Sequence, residues 1–243
     1  MPSMPNRGSE TKPLKHQAVP IQPAATIVLL RDSDQGPQIL MQQRNPEAIF
    51  VGGAWVFPGG KLDPHDEASA WLEYCDLPPD AANRLLELEA HGHAYWIAAI
   101  RELVEEAGIL LAEGATPQLA ARAQQFLQQE PSGFLDFCSR NGLQLQTGKL
   151  RYLSRWITPP GTPRRYDTRF FLCPWPEGQP PRQDDHEAVN TGWFTATQAL
   201  TRYEKGDWDL VLPTIMTLRH LSRYNNVQEL LQQEGQAAHN KTG

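Results

Sequence analysis

The segment Arg101-Glu102-Leu103-Val104-Glu105-Glu106-Ala107-Gly108-Ile109 constrains this chain more than any other, because a helix through it must sort its residues onto two opposed faces. With Glu102 at zero and about 100° per residue, Glu105 lies near −60° and Glu106 near +40°, while Ile100, Leu103, Val104 and Ala107 gather between about 100° and 200°. One face is made to pack; the other, expected to look toward solvent, carries three acids. The spacing predicts a helix over residues 95–107, stopped by Gly108. Convergent carboxylates about 6 Å apart repel by roughly 2–3 kcal/mol at an effective dielectric near 20. Glu105 and Glu106 also stand in the last turn, where the helix dipole disfavours negative charge. Arg101 lies beside the arc and relieves it only in part, by pairing with Glu105. The face therefore reads as a cation site, and oxygen-only donors select Mg²⁺ or Mn²⁺ over zinc. His91 and His93 flank a glycine nearby and are read as loop residues, not ligands.

Around this helix the pattern is that of an α/β domain. Residues 26–30 and 39–43 read as a hairpin about the turn Asp32-Ser33-Asp34-Gln35-Gly36-Pro37, and residues 54–57 as a third strand ended by Pro58-Gly59-Gly60. Helices are expected over 68–75 and 79–91, the latter with Leu85 and Leu88 on one side. Leu119, Ala123, Phe126 and Leu127 recur at helical spacing, and residues 134–138 add a short turn. Strands return over 150–158, 166–172 and 193–194, and Pro213 opens a helix carrying Ile215, Leu218 and Leu221. The expected organisation is a disordered leader over 1–20, one domain over 21–225 with a helical insert at about 67–93, and a polar, Gln-rich tail over 226–243.

Charge and composition exclude several roles. The net charge is −6, so nucleic acid and anionic membranes are not expected partners. Three scattered cysteines make no disulfide framework. No run approaches about 18 apolar residues, and residues 1–20 hold no apolar signal centre, so a cytoplasmic location is expected. A homodimer is left open.

The loop Ala54-Trp55-Val56-Phe57-Pro58-Gly59-Gly60-Lys61 sets a double glycine at a strand end, where backbone can approach a ligand closely. Joined to the acid helix, it resembles the Nudix hydrolase family, whose box reads G, five residues, E, seven residues, then REUXEEXGU with U aliphatic. Gly60 takes the first place, Asp66 the Glu place, and Arg101 to Ile109 fill the second half without a mismatch. Two departures stand out: Asp replaces Glu, and 34 residues separate Asp66 from Arg101, 27 more than usual. The interrupted box, with Trp156-Ile157-Thr158-Pro159-Pro160 and Arg164-Arg165-Tyr166 further on, is similar to the branch that includes coenzyme A diphosphatases.

This resemblance implies a Nudix-type α/β/α sandwich with a mixed sheet, and a small nucleoside diphosphate substrate. Glu102, Glu105 and Glu106 would bind the metal. Glu105 is the expected general base, with Glu187 of Asp184-Asp185-His186-Glu187 as the alternative, and Arg101 orients the glutamates. Arg44, Gly59, Gly60, Lys61, Arg164 and Arg165 are the candidate substrate contacts, the last two as partners of a 3′-phosphate. Coenzyme A or its thioesters are the leading substrates. ADP-ribose, a dinucleotide or a nucleotide sugar is the second reading, and a non-catalytic ligand-sensing domain the third.

Overall fold

The computed structural model describes residues 19–48, 51–184 and 187–240; most of the expected leader, and Asp185 and His186, lie outside them. Among the described residues one mixed sheet contains β1 (Ile21–Arg31), β2 (Gln38–Arg44), β3 (Trp55–Val56), β4 (Gly59–Lys61), β5 (Arg151–Ile157), β6 (Arg165–Pro174) and β7 (Ala188–Thr195). The helices are α1 (Pro79–Leu86), α2 (His93–Ala107), α3 (Pro117–Gln129), α4 (Phe134–Arg140), α5 (Ala196–Glu204), α6 (Leu212–Leu221) and α7 (Val227–Asn240). No helix of these is long and apolar enough to cross a membrane.

β1 is the axis of the sheet. It runs parallel to β6 from Ile21 opposite Arg165 to Leu30 opposite Pro174. Its hairpin with β2 pairs only Leu30 with Ile39 and Arg31 with Gln38, after which the two strands part. The fork is filled from within: β3 pairs with β2, and β4 pairs with β1 through Ala24–Lys61, Ala25–Gly60 and Thr26–Gly59. The Ile27 N–H donates to Pro58 O at 2.9 Å, locking the connection in place. Gly59-Gly60 is thus not the turn that ends a strand but a strand itself. A Cβ on Gly59 would stand 2.4 Å from Ala25 O, so only glycine fits there.

β1 is apolar almost throughout because both of its faces are covered. Ala25, Ile27 and Leu29 point into a layer with α1, α2, α3 and α4, while Val28 and Leu30 point into a second layer with α5, α6 and α7. Phe171 and Cys173 against Phe170 and Leu172 repeat the alternation on β6. On the second face Trp55 stacks on Trp208 with ring centroids 4.0 Å apart.

Between β4 and α2 the chain is less regular than its spacing predicts. Short 3-10 turns, Pro64–Glu67 and Ser69–Glu73, replace the first expected helix. The second stops at Leu86, where Glu87 adopts a left-handed conformation, so Ala82 and Leu86, not Leu85 and Leu88, are the fully buried residues. Trp71, 1% exposed, docks this segment against Phe134 of α4, with centroids 5.3 Å apart. The fold also continues past residue 225. α7 occupies the expected polar tail and buries Val227 and Leu230.

Candidate active site

α2 crosses the sheet with its C-terminal half over β4. Gly108 ends it in the left-handed region at φ +60, its N–H donating to the Leu103 and Val104 carbonyls. Thirteen of the fifteen residues are buried, so the acid face is not the open, solvent-facing surface expected from the helical wheel. Glu102 is 8% exposed and Glu106 5%, with Glu105 half-buried. The cover is β4: a Cβ on Gly60 would lie 2.6 Å from the Glu102 carboxylate, and the Gly59 N–H donates to Glu106 Oε2 at 3.0 Å. His91 and His93 belong to the other end of the helix, where His93 opens α2; nine residues put it about 14 Å from Glu102 along the axis.

Arg101 is the hub of the site. Its Nε and Nη2 donate to the two oxygens of Asp66, each at 3.0 Å. Nη1 donates to Glu102 Oε1 at 2.9 Å and to both Glu105 oxygens at 3.2 and 3.3 Å, and Nη2 also reaches Lys61 O at 3.0 Å. Asp66, 1% exposed, completes a capping box with Asp63 at the first 3-10 turn. Although 34 residues are interposed, the acid of the first half-box and the arginine of the second meet directly.

Glu187 comes from a separate segment, and its negative charge helps to raise the pKa of Glu102, Glu105 and Glu106. Its backbone is held on both sides, its N–H donating to Asp184 O at 3.2 Å and its carbonyl accepting from Asn45 N–H at 2.9 Å. Arg44 is adjacent, paired with Ala188 across the β2–β7 bulge, and its Nε is buried without a hydrogen-bond partner among the described residues. Arg164 and Arg165 are elsewhere. Arg165 sits four ladder positions, about 13 Å, from Arg169, which shares a row with Ala25 and Gly60. Its Nε donates to Thr158 O, which ties the hairpin between β5 and β6.

The electrostatics follow from this burial. Desolvation pushes Glu102 up to about 8, against the pull of Arg101. Burial, with Glu102 and Glu187 adding like charge, holds Glu106 well above the ordinary carboxylate range. Glu105 and Asp66 are raised for the same first reason, with Arg101 opposing. Burial also works against the Arg101 charge, but Glu102, Asp66 and Glu105 overcome it and raise its pKa. Among the described residues no three His, Cys, Asp or Glu side chains form a ready-made metal cage; the carboxylates are instead bonded to Arg101 and to the Gly59 N–H. The donors are nonetheless all hard oxygens, crowded and desolvated, which is the chemistry a divalent cation stabilises.

Two supports escape a reading of the sequence. Gln42, 2% exposed in an apolar strand, donates from Nε2 to Glu106 O at 2.9 Å, and Gln124 on α3 donates to Glu105 O at 3.0 Å. Neither amide stands out in the sequence, since Gln42 is followed by Gln43 and Gln124 by Gln125.

A family model described as NUDIX domain matches residues 20–134, and one described as NUDT19 Nudix domain matches residues 89–221. The acyl-coenzyme A diphosphatase NUDT19 of Gallus gallus is 31% identical over 239 residues, covering 79% of this chain. The protein of the same name from Homo sapiens is 30% identical over 237 residues, covering 81%. The chain spans 63% of the length of each of these relatives. The crystal structure of a Nudix hydrolase from Alicyclobacillus acidocaldarius superposes with a TM-score of 0.73 at 29% identity, covering 88% of this chain and 96% of that one. With the second family model matching more than half of its 243 residues, on the fold and the glutamate helix described above, the chain belongs to the NUDT19 Nudix domain family.

Proposed function

We propose that this chain is a Mg²⁺-dependent hydrolase, with Mn²⁺ as the substitute ion, that splits the diphosphate bond of a nucleoside diphosphate joined to another group. Coenzyme A or acyl-coenzyme A is the substrate, giving 3′,5′-ADP and a phosphopantetheine or its acyl form. The observation that carries the reading is the buried glutamate face of α2 against the glycine strand, with Glu106 bonded to the Gly59 N–H, Glu102 packed on Gly60, and Arg101 joining Glu102, Glu105 and Asp66. Two ionised carboxylates about 4 Å apart repel by about 4 kcal/mol at an effective dielectric of 20, so a proton or a cation belongs between them. Nudix hydrolases generally use a divalent metal. The names of the two NUDT19 relatives support the choice of substrate.

Glu102, Glu105 and Glu106 would hold the ion. When bound, it supplies charge neutralisation for the diphosphate and acidifies water. Arg101 fixes two of these carboxylates and is itself fixed by Asp66, so it orients the site and does not touch substrate. Gly60 lets the backbone of β4 lie directly against the Glu102 carboxylate, where any side chain would displace it. Glu187 is the preferred general base, since Glu105 is given to the ion and to Arg101 whereas Glu187 reaches the cluster from a separate segment. Arg44 and Lys61 flank the site and suit phosphate oxygens. Arg164 and Arg165, at the start of β6, are the proposed partners of the 3′-phosphate.

Purified protein with Mg²⁺ should release 3′,5′-ADP from coenzyme A and acyl-coenzyme A faster than it cleaves ADP-ribose, NADH or nucleotide sugars, with products separated by chromatography. Faster cleavage of one of the latter would move the substrate assignment. Turnover of none would favour a ligand-sensing domain instead.

A further inference from the structure

The last carbonyls of any helix lack partners within it. In α2 those carbonyls belong to the residues that carry the acids, and they are not left to water. Arg182 N–H donates to Ala107 O at 2.7 Å and Asp184 N–H to Glu106 O at 3.3 Å, so residues 182–184, which lead into Glu187, lie across the end of the glutamate helix. Gln124 ties the two together. It is 5% exposed, and its one amide nitrogen donates to Glu105 O at 3.0 Å and to Arg182 O at 3.1 Å. Both hydrogens of the NH₂ group are thereby used, one on each side of the junction. Gly108 makes room: a Cβ there would lie 2.9 Å from both Gln124 Oε1 and Arg182 Cβ.

We propose that Gln124 is a positioning residue, stapling the segment that carries Glu187 onto the C-terminal end of α2 and so setting where Glu187 meets the other acids. Its catalytic consequence rests on the role given to Glu187 above; the staple itself does not. Gln124 acts through the backbone, since both of its side-chain hydrogen bonds go to carbonyls, one on α2 and one on the segment it holds. α3 lies outside both halves of the glutamate motif, yet through this amide it takes part in the geometry of the site.

The test is Gln124→Leu, which keeps the bulk and removes both donors, beside Gln124→Glu, which keeps the shape but presents oxygen to two carbonyls. Gln125→Leu, on the exposed side of the same helix, is the control. Amide hydrogen exchange of Arg182 and Asp184 should speed up at least tenfold in both Gln124 variants, while the amides in the middle of α2 keep their protection. With coenzyme A and saturating Mg²⁺, kcat should fall about 10- to 100-fold, as a displacement of about 1 Å can cost, with KM changing less than about threefold. Unchanged exchange at Arg182 and Asp184 would overturn the staple. Faster exchange with wild-type kcat would overturn its role in positioning. If wild-type protein cleaved no diphosphate, the functional reading would fail while the exchange measurement still decided the staple. Should Gln124→Leu not fold, Gln124→Glu carries the same test.

Discussion

Gly60→Ala isolates the contact between the glycine strand and the glutamate helix. The backbone at Gly60 lies in no left-handed region, so alanine brings no conformational penalty of its own. Its Cβ would stand 2.6 Å from Cδ and both oxygens of Glu102, whereas ordinary contact begins near 3.4 Å. The carboxylate must retreat by roughly 1 Å. It is 8% exposed and bonded to Arg101 at 2.9 Å, so retreat strains or breaks that bond. Overpacking of this kind costs about 1–3 kcal/mol of stability. Moving a metal-binding carboxylate by that distance should lower kcat about 100-fold. Urea unfolding and Mg²⁺-dependent release of 3′,5′-ADP read the two effects separately. Full activity in a folded Gly60→Ala protein would refute the placement of Glu102 in the reacting centre. Gly59→Ala, whose Cβ would meet the Ala25 carbonyl backbone at 2.4 Å, should instead lose folded protein.

Asp66→Ala removes both acceptors that Nε and Nη2 of Arg101 bond in a buried site, leaving guanidinium donors unpaired, and should destabilise the protein by about 3 kcal/mol in chemical denaturation. A change under about 0.5 kcal/mol would show that Glu102 and Glu105 suffice to hold the arginine. In the presence of EDTA, Tm should fall as pH rises: Glu102 goes from an ordinary 4.5 to about 8 on folding, so its contribution is present below 4.5 and lost as pH passes 8. Glu105, Glu106 and Asp66 shift the same way, and Mg²⁺ at pH 8 should restore Tm. A Tm that climbed between pH 5 and 8 without metal would contradict this. Arg164→Ala with Arg165→Ala should raise KM for coenzyme A about tenfold and leave dephospho-coenzyme A unaffected; equal losses would remove the 3′-phosphate from the account.

The helix bearing Arg101, Glu102, Glu105 and Glu106 was legible because its two faces follow from helical geometry alone. Its burial was not, since the cover comes from Gly59 and Gly60, more than 40 residues earlier, and whether a glycine pair is a turn or a strand depends on the neighbour it meets. Asp66 and Arg101 are joined across an insertion, so nothing local signals the pair. The spacing of the insert predicts regular helix, but Pro78 and Pro79 and the left-handed Glu87 confine its one α-helix to eight residues. α7 was hidden by composition: Val227, Leu230 and Leu231 recur at helical spacing, but the glutamines between them read as a tail. The supporting amides Gln42 and Gln124 need the tertiary fold to acquire partners.

The proposed chemistry requires a divalent cation on the buried glutamate face of α2. Mn²⁺ binding followed by electron paramagnetic resonance, on wild type and Glu106→Gln, tests it without substrate. The wild type should bind a Mg²⁺-displaceable ion, and the variant should bind it at least tenfold more weakly with its fold retained by circular dichroism. Equal binding by the two proteins, or none by the wild type, would contradict it.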